Sequence, residues 1–218
     1  MPPVVIANPI INSPFREPTR HWRFDANDQI TNVVDLGRRG STYFMPIATP
    51  KKKAAPSLFD DQAEKKAESD HVNRIRQVVK QWRDMGWPDV TPTTRVLLDH
   101  WHAEDRFRPL FFCQIEALET LIFITEVAKQ TKYGQEWIEK YLAEKAVEAG
   151  TDLLRIACKM ATGSGKTVVM SMLIAWQLLN KRRNPHDKRF TDAFLIVTPG
   201  ITIRDRLRVL LPSDQNNY

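Results

Sequence analysis

The sequence predicts an α/β domain, in which helices cover a parallel sheet next to a glycine-rich loop, preceded by a small β-hairpin layer and accessory helices. The first observation is an apolar run over residues 153–158, which leads into the glycine-rich loop and then into a long apolar helical pattern at 168–179. The second is another apolar run, 193–197, which is followed by a turn and a further helical pattern. Apolar runs that alternate with helical patterns are typical of buried parallel strands covered by helices.

The glycine-rich loop reads M-A-T-G-S-G-K-T over residues 160–167 and has the composition of a phosphate-binding loop. Gly163 and Gly165 allow the tight turn that brings successive backbone N–H groups onto phosphate oxygens. We expect Lys166 to reach the β- and γ-phosphates and Thr167 to ligate Mg²⁺, so both are candidate catalytic residues. The alternative is a glycine-rich turn with a stray lysine. The candidate phosphate-binding set is Ala161, Thr162, Gly163, Ser164, Gly165, Lys166 and Thr167.

The chain is basic, with 32 Lys and Arg against 26 Asp and Glu, and the excess lies in residues 155–218. A basic balance beside a nucleotide site favours a polyanionic partner such as nucleic acid over a merely solvated loop. Cys113 and Cys158 lie in apolar contexts, so we expect buried free thiols in a reducing compartment. The proline-broken start is not a signal peptide, and the longest apolar run is too short to span a bilayer. We therefore expect a cytoplasmic protein without a membrane association.

Residues 1–57 are interpreted as a proline-rich arm followed by a small β-layer. Five prolines in the first 20 residues argue against a helix there. Residues 21–36 place a turn-rich segment between two β-prone segments, which predicts a hairpin, and 41–47 are a candidate third strand. The segment 48–57 has the composition of a linker.

Residues 58–105 are interpreted as accessory helices. An apolar face within 58–85 predicts one helix, and 93–101 predicts a short second helix after the turn. His100 and His102 are candidates for a metal pair, but no cysteine or carboxylate constellation accompanies them, so we do not predict a metal site.

An aromatic and basic cluster occupies residues 106–114 and ends in Gln114, and an apolar helical pattern follows it. A glutamine amide can donate to and accept from adenine N6 and N7 together, and an aromatic or arginine plane can stack on the base. The alternative is an ordinary surface glutamine at a helix start. Residues 129–150 separate this cluster from the loop and predict an inserted, charged helix.

Five strings resemble the N-terminal part of type III restriction-like endonuclease subunits (Res subunits), namely residues 8–15, 20–24, 108–114, 160–167 and 197–207. Such subunits are large proteins with a superfamily 2 motor of two RecA-like domains and a nuclease domain further on. The second half of the chain is similar to the Q-motif, motif I and motif Ia of that motor, in this order. In motif I the first glycine, here Met160, is commonly replaced.

The resemblance implies that residues 106–218 are the first part of a RecA-like helicase ATP-binding domain, an incomplete P-loop domain truncated before motif II. It implies ATP and Mg²⁺ as cofactors, with Gln114 as the adenine reader and Arg108 and Phe111 flanking the base. It also implies an ATP-dependent helicase or restriction endonuclease that acts on double-stranded DNA, with a DNA methyltransferase subunit as a possible partner. The implied DNA-backbone contacts are Thr198, Pro199, Gly200, Thr202 and Arg204, and Thr202 is placed to cap a helix at 203–211.

The acidic residue that a phosphate-loop ATPase needs on a later strand would follow motif Ia, and no residue in this chain takes that position. We therefore expect a fragment without turnover, in which one side of the helix at 166–180 is left uncovered and favours aggregation or a partner. Two alternatives remain open: a superfamily 2 helicase fragment of another role, such as repair or RNA remodelling, and a non-catalytic nucleic-acid-binding fragment.

Overall fold

The computed structural model describes residues 8–25, 29–46, 64–138, 147, 150, 155–211 and 213–215. The chain divides into two compact units. Unit 1 comprises Met1–Asn12 and Pro18–Val78, and unit 2 comprises Ser13–Glu17 and Val79–Tyr218. Among the described residues, no helix is long and apolar enough to cross a membrane.

Unit 1 contains the predicted hairpin, formed by strands β1 (Arg20–Phe24) and β2 (Ile30–Leu36). The strands are antiparallel, Trp22 pairs with Val34, and the register shifts between Trp22 and Phe24. The hairpin prediction is therefore confirmed, because alternating β-prone residues around a turn specify this pairing locally.

A second antiparallel pair joins β3 (Thr42–Pro46) to β4 (Glu64–Glu68). The predicted third strand is confirmed, but the predicted helix at 58–85 is wrong at its start, since helix α1 begins only at Asp70. The sequence of β4 favours a helix, and main-chain pairing with β3 overrides that preference. The predicted linker at 48–57 lies outside the described residues.

Two α-helices, α1 (Asp70–Asp84) and α2 (Pro92–His102), lie where the two accessory helices were predicted, so the prediction of helices there is confirmed. The Thr91 hydroxyl caps α2 by accepting from the Thr94 N–H, and Pro92 follows as the first helical residue, a favoured start. Within unit 2, Trp82 of α1 is buried and packs edge-on against Phe123, with ring centroids 5.6 Å apart.

Helix α3 (Phe112–Ile122) follows the aromatic cluster and continues through a π-helical turn (Phe123–Val127) and a 3₁₀ turn (Ala128–Gln130). Helix α4 (Lys132–Trp137) comes next. Most of the predicted inserted helix lies outside the described residues.

Helix α5 (Lys166–Arg183) begins at the end of the glycine-rich loop and packs against α2 and α3. Its fully buried stripe repeats at helical spacing and ends on a polar residue, as Val169, Met172, Trp176 and Asn180. The last helical elements among the described residues are a short helix, α6 (Ile201–Arg206), and a 3₁₀ turn (Leu207–Leu210). Gly200 is the N-cap of α6 and Thr202 lies inside the helix, so the prediction that Thr202 caps it is wrong.

The predicted parallel sheet is not formed among the described residues: 155–160 and 193–197 are not paired in any ladder. Leu195 and Val197 are 89% and 81% exposed, whereas a strand of a parallel sheet is covered on both faces. A single apolar run cannot form a strand without a neighbour that accepts its main-chain hydrogen bonds. Cys113 and Cys158 are free, but both are exposed, contrary to the expected burial.

Candidate functional site

The glycine-rich loop turns sharply into the N-terminus of α5. Gly163 and Gly165 have φ angles of 78° and 76°, in the left-handed region that glycine adopts at little cost, and Gly165 is the N-cap of α5. The first N–H groups of a helix have no intrahelical acceptor, and the helix dipole makes that end positive. Lys166 and Thr167, the first two residues of α5, therefore present backbone donors at the end that favours anions.

The Lys166 side chain lies across the loop. Its ammonium Nζ donates to the carbonyl oxygens of Met160, at 2.9 Å, and of Ala161, at 2.7 Å. The Ser164 hydroxyl also donates to the Ala161 oxygen, at 2.7 Å. The loop is thus closed by its own side chains, and an exposed cation is held at its mouth.

Gln114 is buried and joins the loop to the start of α3. Its Oε1 accepts from the Phe111 N–H at 2.8 Å, and its Nε2 donates to the Ser164 carbonyl at 3.1 Å. A methyl group at Gly165 would overlap Nε2, so this position needs glycine both for its φ angle and for the close approach of the amide. Gln114 is not the ordinary surface residue of the alternative interpretation, since it is only 5% exposed.

A cavity of about 510 Å³ lies beside Gln114. Arg108, Phe111 and Gln114, the three residues assigned to the base by resemblance, all line it. The remaining lining comes mainly from α2 and α5 and includes Leu97, His100, Trp101, Val168, Ser171, Met172 and Ala175. Part of the N-terminal arm supports this region, because the Phe112 N–H donates to the Pro14 carbonyl at 2.8 Å.

The residues similar to motif Ia lie at an exposed turn. The Thr198 hydroxyl donates to the Gly200 carbonyl at 3.3 Å, and the Arg204 guanidinium contacts Asp205 at 3.2 Å. A cavity of about 390 Å³ includes Thr198 and Arg204 in its lining. Within the described chain, no hydrogen bond joins this turn to the glycine-rich loop.

Two buried carboxylates fix the helices that carry these residues, and sequence reasoning did not identify either one. Glu119 has no exposed surface and accepts from Trp87 Nε1 at 2.9 Å and from Arg83 Nε at 2.7 Å. Arg83 donates to Oε2, whereas Trp87 donates to Oε1, and His102 Nε2 lies 3.0 Å from the same Oε1. Burial alone would raise the pKa of Glu119, but the hydrogen bonds from His102 and Arg83 and the charge of Arg83 outweigh it, so this pKa lies below its ordinary value.

Glu126, seven residues further on, ties α2 to α5. Its Oε1 accepts from Trp176 Nε1 at 2.8 Å and from the Thr94 hydroxyl at 2.6 Å, and its Oε2 accepts from the Thr91 N–H at 2.8 Å. Asn180 completes the cluster by donating to the Thr94 hydroxyl at 2.9 Å. The sequence signal was the seven-residue spacing of two acids within an apolar helix, which places both on one face.

The two histidines considered as a metal pair have separate partners. His102 contacts Glu119, and His100 Nε2 accepts from Arg106 Nη1 at 2.8 Å. Over the described ranges, no group of three or more His, Cys, Asp or Glu side chains is placed to hold a metal ion.

Comparison with known proteins gives one family match. Residues 110–215 match the family model described as "Type III restriction enzyme, res subunit". This match confirms the resemblance to the res subunit over residues 110–215, which contain the motif I and motif Ia strings. Neither the curated proteins nor the solved structures contain a significant match to the chain.

Proposed function

Since residues 110–215 match the family model of type III restriction enzyme res subunits, we propose that the chain is the ATP-binding part of an ATP-dependent DNA translocase. The observation that supports this most strongly is the direct bond between Gln114 and the glycine-rich loop. This bond joins a candidate base-recognition residue directly to a candidate phosphate-binding loop, which supports one shared nucleotide site.

Several features of the loop support the binding of ATP and Mg²⁺. No atom lies within 4 Å of the place that a side chain at Gly163 would fill, so a phosphate can approach the backbone closely there. Lys166 would exchange its two carbonyl partners for phosphate oxygens, which are stronger acceptors for a cation. The half-buried Thr167 would hold Mg²⁺ through its hydroxyl, and bound ATP-Mg²⁺ would supply the phosphoryl group. Ala161, Thr162, Ser164 and Gly165 would complete the cradle.

The base would occupy the cavity next to Gln114. The Gln114 Oε1 accepts from the Phe111 N–H and keeps one lone pair for a base edge. Its Nε2 donates to the carbonyls of Ser164, at 3.1 Å, and of Gly165, at 3.5 Å, and would exchange the longer of these bonds for a base. The Phe111 ring and the exposed Arg108 guanidinium, both in the cavity lining, would flank the base. This arrangement fits an adenine reader in a site shared with the loop.

Double-stranded DNA is the proposed second ligand. Its phosphates would be contacted by the exposed turn that contains Thr198, Pro199, Gly200, Thr202 and Arg204, in the part of the chain with the basic excess. We propose a cytoplasmic setting and a DNA methyltransferase subunit as the further partner. Residues 110–215 support the helicase and restriction class, and DNA as the substrate follows from that class.

We expect the isolated chain to bind ATP without turning it over. Among the described residues, no carboxylate is bonded to Lys166 or Thr167, and hydrolysis at a phosphate loop needs an acid that orients Mg²⁺ and water. An ATPase assay with and without duplex DNA measures this directly. Turnover that duplex DNA stimulates would contradict the expectation.

The test of the proposed site is Lys166→Ala, with ATP affinity measured by isothermal titration calorimetry. Loss of a charge-assisted contact should raise the Kd by about 10- to 100-fold. Lys188→Ala, at an exposed lysine outside the loop, is the matched control and should leave the Kd unchanged. Equal affinities for Lys166→Ala and the unmodified chain would show that the loop is not the phosphate site.

A further inference from the structure

We propose that α2 forms one wall of the base pocket, and that Leu97 and His100 contact the nucleobase and contribute to its selection. The inference rests on the proposed nucleotide-binding function and adds residues to it. Both residues precede residue 110, so they lie outside the stretch that matches the res-subunit family. Neither was among the residues that the sequence assigned to the site.

The cavity has the size and direction that a nucleoside needs. Its volume of about 510 Å³ falls within the range of small-molecule sites, roughly 300–1,000 Å³. On α5 its lining runs from Val168 to Ala175, a distance of roughly 10 Å along a helix axis. Gln114 lines this cavity and bonds the Ser164 carbonyl of the glycine-rich loop, so a ligand whose phosphates lie on the loop would reach the cavity past Gln114 and extend between α5 and α2.

The α2 wall offers both an apolar surface and a polar group. Leu97 is half-buried and Trp101 is buried, so both give the planar face of a base a place to pack. His100 Nε2 accepts from Arg106 Nη1, which places the imidazole proton on Nδ1 in the neutral ring. Across the described ranges, His100 Nδ1 makes no hydrogen bond to the protein, so this N–H is available for a ring nitrogen of a purine.

The wall is held rigidly against α5. The Thr91 N–H, at the cap of α2, donates to Glu126, and the Trp176 indole of α5 donates to the same carboxylate. The Thr94 hydroxyl bonds Glu126 as well, at 2.6 Å. Because this cluster is buried, the spacing between α2 and α5, and hence the width of the pocket, is set by the fold before any ligand binds.

The decisive experiment compares two probes, ATP and inorganic tripolyphosphate, on variants of the full chain. Leu97→Trp fills the pocket, and Val96→Trp, at the neighbouring position that is 67% exposed and outside the cavity lining, is the matched control. We expect Leu97→Trp to raise the Kd for ATP by at least about 10-fold and to leave tripolyphosphate affinity unchanged, since overpacking acts only where the base lies. Val96→Trp should change neither affinity.

A milder variant keeps the test valid if Leu97→Trp does not fold, as judged from its thermal unfolding. His100→Ala removes an exposed ring and should raise the Kd for ATP by about 2- to 10-fold, again without affecting tripolyphosphate. Asp99→Ala, at another exposed residue of α2, serves as its control.

The possible outcomes distinguish the proposal that α2 contacts the base from the proposal that the glycine-rich loop binds phosphate. If Leu97→Trp binds ATP as well as Val96→Trp does, or weakens both probes equally, the α2 wall is refuted while a Lys166→Ala defect would still support the proposed function. Equal affinity of the unmodified chain for ATP and tripolyphosphate would likewise exclude a base pocket and keep the phosphate loop. A chain that binds neither probe would overturn both proposals.

Discussion

Glu119 gives the sharpest prediction about stability, because it is a fully buried carboxylate with several donors. Truncation in Glu119→Ala leaves the Arg83 guanidinium, whose side chain is only 15% exposed, without its partner. Removing one member of a buried ion pair costs about 3–5 kcal/mol. Since Arg83 retains some contact with solvent, we expect the lower part of that range, about 3 kcal/mol.

The measurement is thermal unfolding followed by circular dichroism at pH 7. For a chain of this length, about 3 kcal/mol corresponds to a decrease in Tm of roughly 6–12 °C. Glu104→Ala, at an exposed acid, is the control and should change the free energy of unfolding by less than about 0.5 kcal/mol. If Glu119→Ala unfolds at the temperature of the control, the buried cluster contributes nothing to stability and the reasoning is refuted.

The pH dependence gives an independent check with a defined sign. The folded pKa of Glu119 lies below its ordinary value of 4.5, so the unfolded chain binds the proton more readily at acidic pH. The stabilisation from Glu119 is therefore fully present above that ordinary value and is lost as the pH falls through the folded pKa. We expect the Tm difference between the unmodified chain and Glu119→Gln to shrink below about pH 4.5 and to be constant from pH 6 to 8. A difference that grows on acidification would contradict the assigned direction.

Three further predictions concern glycines and the exposed turn. Gly165→Ala should destabilise the chain by about 1–2 kcal/mol through its left-handed φ alone, and calorimetry should show at least about 10-fold weaker ATP binding because the Gln114 amide is displaced. Gly134→Ala places a methyl group onto the backbone of the preceding 3₁₀ turn and should lower the free energy of unfolding by about 1–3 kcal/mol in urea titrations. Arg204→Ala should reduce the salt slope of duplex DNA binding by about one, measured by fluorescence anisotropy from low to moderate salt.

The controls for these variants come from the same chain. Gly200 has an extended φ of −170°, and no atom lies within 4 Å of the place that an added methyl group would fill. Gly200→Ala should therefore leave the free energy of unfolding nearly unchanged. A Gly134→Ala variant as stable as Gly200→Ala would show that α4 can shift away from the turn. An unchanged salt slope in Arg204→Ala would remove this residue from the DNA contacts.

Sequence patterns predicted those elements whose determinants are local. The β1–β2 hairpin follows from a turn between β-prone residues, and α2 follows from Thr91 and Pro92 at its start. The position of the glycine-rich loop at the start of α5 also follows, because its two left-handed positions are both glycine. In each case the residues that decide the conformation are within a few positions of it.

Features that depend on distant partners were not predictable in the same way. The helix-prone residues of β4 form a strand because their main chain pairs with that of β3. The apolar run at 193–197 stays unpaired, because an apolar run by itself does not specify which strand it pairs with. The sequence also identified Gln114 without showing that its amide bonds the loop, a contact between residues fifty positions apart. Sheet pairing and buried polar clusters are tertiary properties, which periodicity does not encode.

The donors to the buried acids define a folding boundary that differs from the family boundary. The family match begins at residue 110, whereas Arg83, Trp87, Thr91 and Thr94, which satisfy Glu119 and Glu126, all precede it. A fragment cut at residue 110 would keep both carboxylates in an apolar helix and lose most of their donors, a cost of several kcal/mol. We therefore expect that fragment to be insoluble on expression, and the smallest piece worth producing from unit 2 to retain α2 and the end of α1.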